Sequence, residues 1–143
     1  VFFDLPGTVN SEGVIHSLSG MDYIFTPISA DRVVLESSLS FAVAIHKLLV
    51  KNEACRLKGL HLFWNMVDGR EKTDLYTLYE QTIGELELPL MKVFIPDTKR
   101  FKKELDAQRK TVFRSTLFPA DKRLVKGSNM EELITEIAYL IKL

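Results

Sequence analysis

Asp4 ends a short apolar run, Val1-Phe2-Phe3, and stands three residues before Gly7 in Asp-Leu-Pro-Gly. A carboxylate at the end of a buried strand can hold Mg²⁺, usually through water, opposite a triphosphate. A glycine at that spacing can present its N–H to the terminal phosphate. The same residues also read as a capped turn that stops a strand. Asn65 follows Leu60-His61-Leu62-Phe63-Trp64, so its amide falls at a strand's carboxyl end, with a donor and acceptors for a purine edge. Its other reading is an Asx turn leading into Asp68-Gly69. Pro96 closes the run Met91 to Ile95, and its backbone either lines the far side of a base or simply stops a strand.

Basic side chains form three groups: Lys99, Arg100, Lys102 and Lys103; Arg109, Lys110 and Arg114; Lys122, Arg123 and Lys126. Contacts to nucleic-acid phosphates need such charge and little sequence motif. Glu104, Asp106 and Asp121 intervene, so with zero net charge the groups read first as a solvated face of mixed charge. His16, His46 and His61 are far apart and Cys55 is alone, which leaves no zinc-ligand spacing. His61, inside an apolar run, reads as a core residue, and so does Trp64. There is no Gly-x-Ser-x-Gly elbow and no cysteine–histidine signature.

The elements that must position these residues are legible as alternating strands and helices. The 143 residues are 46% apolar and 27% charged, an ordinary globular composition that excludes disordered and fibrous classes and suits one domain, 1–143. Nineteen basic residues balance nineteen acidic ones, so net charge argues for neither nucleic acid nor membrane. The single cysteine excludes an internal disulfide and fits a reducing compartment. Uninterrupted apolar runs fall short of the ~20 residues of a membrane span. The chain opens directly on an apolar strand without an initiator Met or basic leader, so it is expected to begin in mid-fold, as part of a longer protein.

Strands are expected at 1–3, 23–26, 57–64 and 91–95, with a less clear one at 111–118. Residues 8–20 read as a loop and a short helix. Asp31 is placed to cap a helix of roughly 20 residues bearing Leu35, Leu39, Ala42 and Leu49. A second amphipathic helix carries Leu75, Leu78, Tyr79, Ile83 and Leu86. A short exposed helix is expected within 99–108. Ser128-x-x-Glu131 resembles a capping box before a last helix bearing Met130, Leu133, Ile134, Ile137 and Ile141. Short continuous apolar strands alternating with helices predict a parallel sheet covered on both faces, with right-handed crossovers. Ligands of such sheets lie beyond the carboxyl ends of the strands, where Asp4, Asn65 and Pro96 fall.

Four of these segments occur in an order that resembles the ParA/MinD-type ATPases. Phe2-Phe3-Asp4-Leu5-Pro6-Gly7 is similar to the family's Walker B and switch II segment. Asp22-Tyr23-Ile24-Phe25-Thr26-Pro27 resembles its next strand. Leu60 to Arg70 resembles the strand that closes on the adenine, and Phe94-Ile95-Pro96 the following strand with its Ile-Pro turn. Thr111-Val112-Phe113 stands at the family's Pro-Val-Phe position. The resemblance implies a three-layer parallel sheet of the P-loop NTPase type, truncated at its N-terminus. It implies ATP and Mg²⁺ as ligands, with Mg²⁺ held through water by Asp4 and nucleotide contacts at Gly7, Asn65 and Pro96. It further implies an ATP-dependent homodimer and non-specific DNA contacts by Arg109, Lys110, Arg114, Lys122 and Arg123. A ParB-like or conjugation partner, a cytoplasmic location and a role in partition or conjugative-element maintenance complete the expectation. Two departures stand out. The Walker A lysine motif would precede residue 1, so residues 1–143 alone are expected to hydrolyse no ATP. Asp97 stands where many relatives have arginine. A non-enzymatic DNA- or protein-binding module on the same α/β scaffold is the alternative.

Overall fold

The structure, a computed structural model, describes residues 1–5, 12–50, 55–70, 73–102 and 120–143. Its elements are α1 (Glu12–Ser19), β1 (Tyr23–Ile28), α2 (Arg32–Ile45), β2 (Gly59–Trp64), α3 (Thr73–Glu85), α4 (Lys122–Val125) and α5 (Met130–Leu140). A π-helical turn, His46–Val50, continues α2, and a 3₁₀ turn covers Lys99–Lys102. The class is α/β, with β1 and β2 paired in parallel from Tyr23↔Gly59 to Ile28↔Trp64.

Strand geometry sends alternate side chains to opposite faces. Ile24, Ile28, Leu60, Leu62 and Trp64 therefore share one face, and all are buried. They pack with Leu18 of α1, with Leu35, Ala42 and Ile45 of α2, and with Ile83 of α3. Each fully buried aliphatic side chain here contributes about 1.5–3 kcal/mol. Tyr23, Phe25, His61 and Phe63 occupy the other face and are only half-buried. Phe25 and Phe63 pack there beside Met91, Ile95 and Leu133 of α5. Both faces are thus covered, as the apolar runs predict, but unequally: one is sealed and the other half-open.

Asp31 caps α2 as expected: its carboxylate accepts the Val34 N–H at 3.0 Å. Widening of the last turn at His46–Val50 keeps Leu49 in the core. The combined helix Arg32–Val50 has 19 residues and a mean hydropathy of 1.7, long and apolar enough to cross a membrane by length and composition. Glu36, the serines at 37, 38 and 40, and His46-Lys47 interrupt the apolar residues, which is why the longest uninterrupted run underestimated it. Its Leu35, Ala42, Ile45 and Leu49 nevertheless lie in the core cluster. At the end of α3, Glu87 takes a left-handed φ of 56°. The Leu88 N–H then reaches the Ile83 carbonyl (3.2 Å) and the Glu87 N–H the Gly84 carbonyl (3.0 Å), a Schellman closure that buries Leu88.

Residues 89–97 run parallel to β2 as an interrupted third strand. Leu62 bridges Leu90, and Val67 bridges Pro96. Met91 and Ile95 donate to Leu62 and Trp64, so four steps face two and two extra residues bulge between them, while Met66 adds one residue on the β2 side before Val67 pairs with Pro96. The expected continuous strand 91–95 is corrected accordingly. The bulge is held by α5, as described below.

Two further expectations are corrected. Val1, Phe2 and Phe3 form no strand and are exposed at 110%, 80% and 64%. Three apolar residues gain little without a ladder partner, and none pairs with them among the described residues. The Ser128–Glu131 capping box does not form. Ser128 is fully buried and its hydroxyl donates to the Val125 carbonyl at 2.6 Å, so Asn129, with φ 59°, becomes the N-cap. The expected strand at 111–118 and most of the short helix in 99–108 lie outside the described residues.

In a parallel ladder, one residue's N–H and C=O point to the same neighbour. The Asp22 and Ile28 carbonyls accept from Lys58 and Asn65 on the β2 side. The peptide groups of Tyr23, Phe25 and Pro27 therefore point to the outer edge of β1, where the missing N–H of Pro27 breaks no bond to β2.

Candidate functional site

The carboxyl ends of β1, β2 and the 90–96 segment form one rim. The Asn65 N–H donates to the Ile28 carbonyl at 2.7 Å. The Val67 N–H donates to Ile95 at 3.0 Å, and the Asp97 N–H to Val67 at 2.9 Å. Asn65 and Pro96 thus belong to adjacent strand ends that point the same way.

Between them the backbone turns sharply. Met66 has a left-handed φ of 57° and an exposed side chain. A non-glycine residue there costs on the order of 1 kcal/mol. Asn65 offsets part of this cost, since its Oδ1 accepts the Met66 N–H at 3.0 Å. That bond matches the turn-forming reading of Asn65. Its amide Nδ2 has no acceptor among the described residues.

A charged group borders the same rim. Asp68 accepts from the Arg70 N–H (2.9 Å), from Nε (3.0 Å) and, through its second oxygen, from a terminal guanidinium nitrogen (2.9 Å). These hydrogen bonds hold the Asp68 carboxyl below its ordinary range and raise the Arg70 guanidinium. Asp97 adds a weaker pull on Arg70. At the position where the resemblance predicts arginine, the rim thus has an aspartate with an arginine nearby from the neighbouring turn.

Asp4 is exposed and belongs to no strand, and no hydrogen bond or ion pair joins it to another described residue. Gly7, Arg109, Lys110 and Arg114 lie outside the described residues. Lys122 and Arg123 are exposed in the single turn of α4, where Asp121 caps the Arg123 N–H at 2.7 Å. Among the described residues, no three His, Cys, Asp or Glu side chains cluster to hold a metal ion.

A second feature escaped sequence reasoning. A largely apolar groove of about 780 Å³ opens on the half-buried face, away from the rim, between residues 89–93 and α5. His61, Leu90, Val93, Glu136 and Tyr139 help to line it. The His61 ring stacks on Phe25, with centroids 5.6 Å apart, and more loosely on Tyr23 at 6.4 Å. Gly59 leaves room for this ring, since a Cβ there would stand 3.0 Å from His61 Nε2. Burial lowers the His61 pKa from its ordinary 6.5, against an opposing pull from Glu136. The shared odd positions of Tyr23, Phe25, His61 and Phe63 were the available signal. On the opposite face, the Trp64 indole donates to Glu80 at 3.0 Å and meets Tyr76 edge-on, as befits a core residue with one polar edge.

In comparisons with known proteins, the chain matches no family model and no curated protein.

Proposed function

We propose that this chain is the base-binding side of a nucleotide-switch ATPase of the ParA/MinD type, built on a three-layer P-loop NTPase sheet. The observation that supports it is the adjacency of Asn65 and Pro96 on parallel strand ends, with a strained turn between them. In this reading the Asn65 amide meets the adenine edge and the Pro96 backbone flanks the base. Asp4 would hold Mg²⁺ through water and Gly7 would meet the γ-phosphate, with the phosphate loop contributed from outside residues 1–143. Bound Mg²⁺ supplies charge neutralisation for phosphoryl transfer. ATP would favour a homodimer that contacts DNA through Arg109, Lys110, Arg114, Lys122 and Arg123, and a ParB-like or conjugation partner, in the cytoplasm. Plasmid partition or conjugative-element maintenance is the corresponding role.

Binding of a fluorescent ATP analogue to the natural protein that carries this chain tests the reading. Asn65→Ala should weaken binding about tenfold, the equivalent of one lost hydrogen bond. Asp4→Ala should abolish the Mg²⁺ dependence. Absence of binding, or binding indifferent to both substitutions, would reject it. A non-enzymatic binding module is the second reading, favoured by the groove's position away from the rim.

A further inference from the structure

The bulge in the third strand is bonded by a helix in place of a strand. The Glu136 carboxylate accepts the Lys92 N–H through Oε1 at 2.9 Å and the Val93 N–H through Oε2 at 2.8 Å. The Asn129 side-chain amide donates to the Phe94 carbonyl at 2.9 Å. Three consecutive residues therefore take their bonds from α5 and its cap. Consecutive backbone N–H groups that converge on one anion form a nest, and here the anion is the chain's own carboxylate. Hydrogen bonds to an ionised acceptor are among the stronger ones.

The position of the bulge matters because the ladder changes register across it. Before it, the Met91 N–H bonds Leu62; after it, the Ile95 N–H bonds Trp64, at 2.8 Å in both cases. The Val67 and Asp97 bonds at the rim lie beyond this second register, one residue out of step with it because Met66, with its left-handed backbone, is an extra residue on the β2 side. We infer that α5 is a strap: through Glu136 and Asn129 it fixes the bulge at Lys92–Phe94 and thereby sets the register that aligns Pro96 and Asp97 with Val67. Movement of α5 would then be transmitted to the rim through the backbone, with Glu136 as a positioning residue. The coupling holds whatever ligand the rim binds. It has the form of a two-arrangement element, since a strand without its bulge would bring the Val93 N–H in place of Ile95 to the Trp64 carbonyl and shift the bonds beyond it.

Amide hydrogen exchange on the full chain tests this, comparing the native protein with Glu136→Gln. The amide keeps the side chain's size and one acceptor but loses the charge and the second acceptor. Exchange at Lys92 and Val93 should accelerate, and so should exchange at Val67 and Asp97, by about tenfold, while β1 and β2 amides stay within about twofold. Asn129→Gly is the second variant. Glycine suits the left-handed backbone but cannot bond Phe94, and it should accelerate the same rim amides. Unchanged Val67 and Asp97 despite faster Lys92 and Val93 would overturn the inference, as would uniform acceleration across β1 and β2. If Glu136→Gln does not fold, Asn129→Gly decides by the same criteria.

Discussion

The two faces of the sheet show what complete and incomplete covering each achieve. On one face Ile24, Ile28, Leu60, Leu62 and Trp64 are sealed beneath α1, α2 and α3. On the other, Tyr23, Phe25, His61 and Phe63 carry larger and more polarisable rings yet stay half-exposed under α5. The sealed face uses aliphatic shape and supplies stability. The half-open face uses stacked rings, a carboxylate clamp and a groove, and supplies adjustable contacts.

The sharpest way to break this contrast is a pair of truncations. Leu62→Ala, at a position with no exposure, should lower unfolding free energy by about 3 kcal/mol through lost burial and a residual cavity. Phe63→Ala, the next residue on the other face, should cost about half of that, although it removes more atoms. Denaturant titration of both variants checks the ordering, and equal losses would erase the distinction between the faces. A smaller effect should come from Asp31→Ala, about 1 kcal/mol, because the Val34 N–H loses its cap at the start of the sealed layer. The smallest concerns His61. Burial holds its native pKa below 6.5, so the unfolded chain takes up a proton first as pH falls. Its contribution is therefore complete above about pH 6.5 and declines below it. Melting curves from pH 7.5 to 5 should show a steeper decline for the native protein than for His61→Gln, and identical slopes would place the imidazole effectively in solvent.

What was legible in the sequence was what local residues decide. Asp31 before an apolar periodic stretch gave the α2 cap. The apolar runs gave β1 and β2 within two residues, and alternation with helices gave their parallel pairing. Asn65 and Pro96 fell on one rim because both end strands of the same direction. What failed depended on distant partners. Val1-Phe2-Phe3 had strand composition but no ladder. Ser128 had the composition of a cap, but its buried hydroxyl donates to Val125 and accepts only the Met130 N–H, at 3.3 Å, so the reciprocal box with Glu131 does not close. The bulge at Lys92–Phe94 was invisible because the groups that stabilise it, Asn129 and Glu136, stand some 35 to 44 residues further along. The half-open face was missed because Tyr23, Phe25 and His61 were read as one-dimensional runs.

Pro27 carries a consequence for encounters with other chains. A newcomer strand aligned along the outside of β1 could recruit the amide hydrogens of Tyr23 and Phe25, but would meet a methylene where the next donor belongs. Templated growth in that direction is cut off at the rim end, so the border limits runaway cross-β stacking by itself.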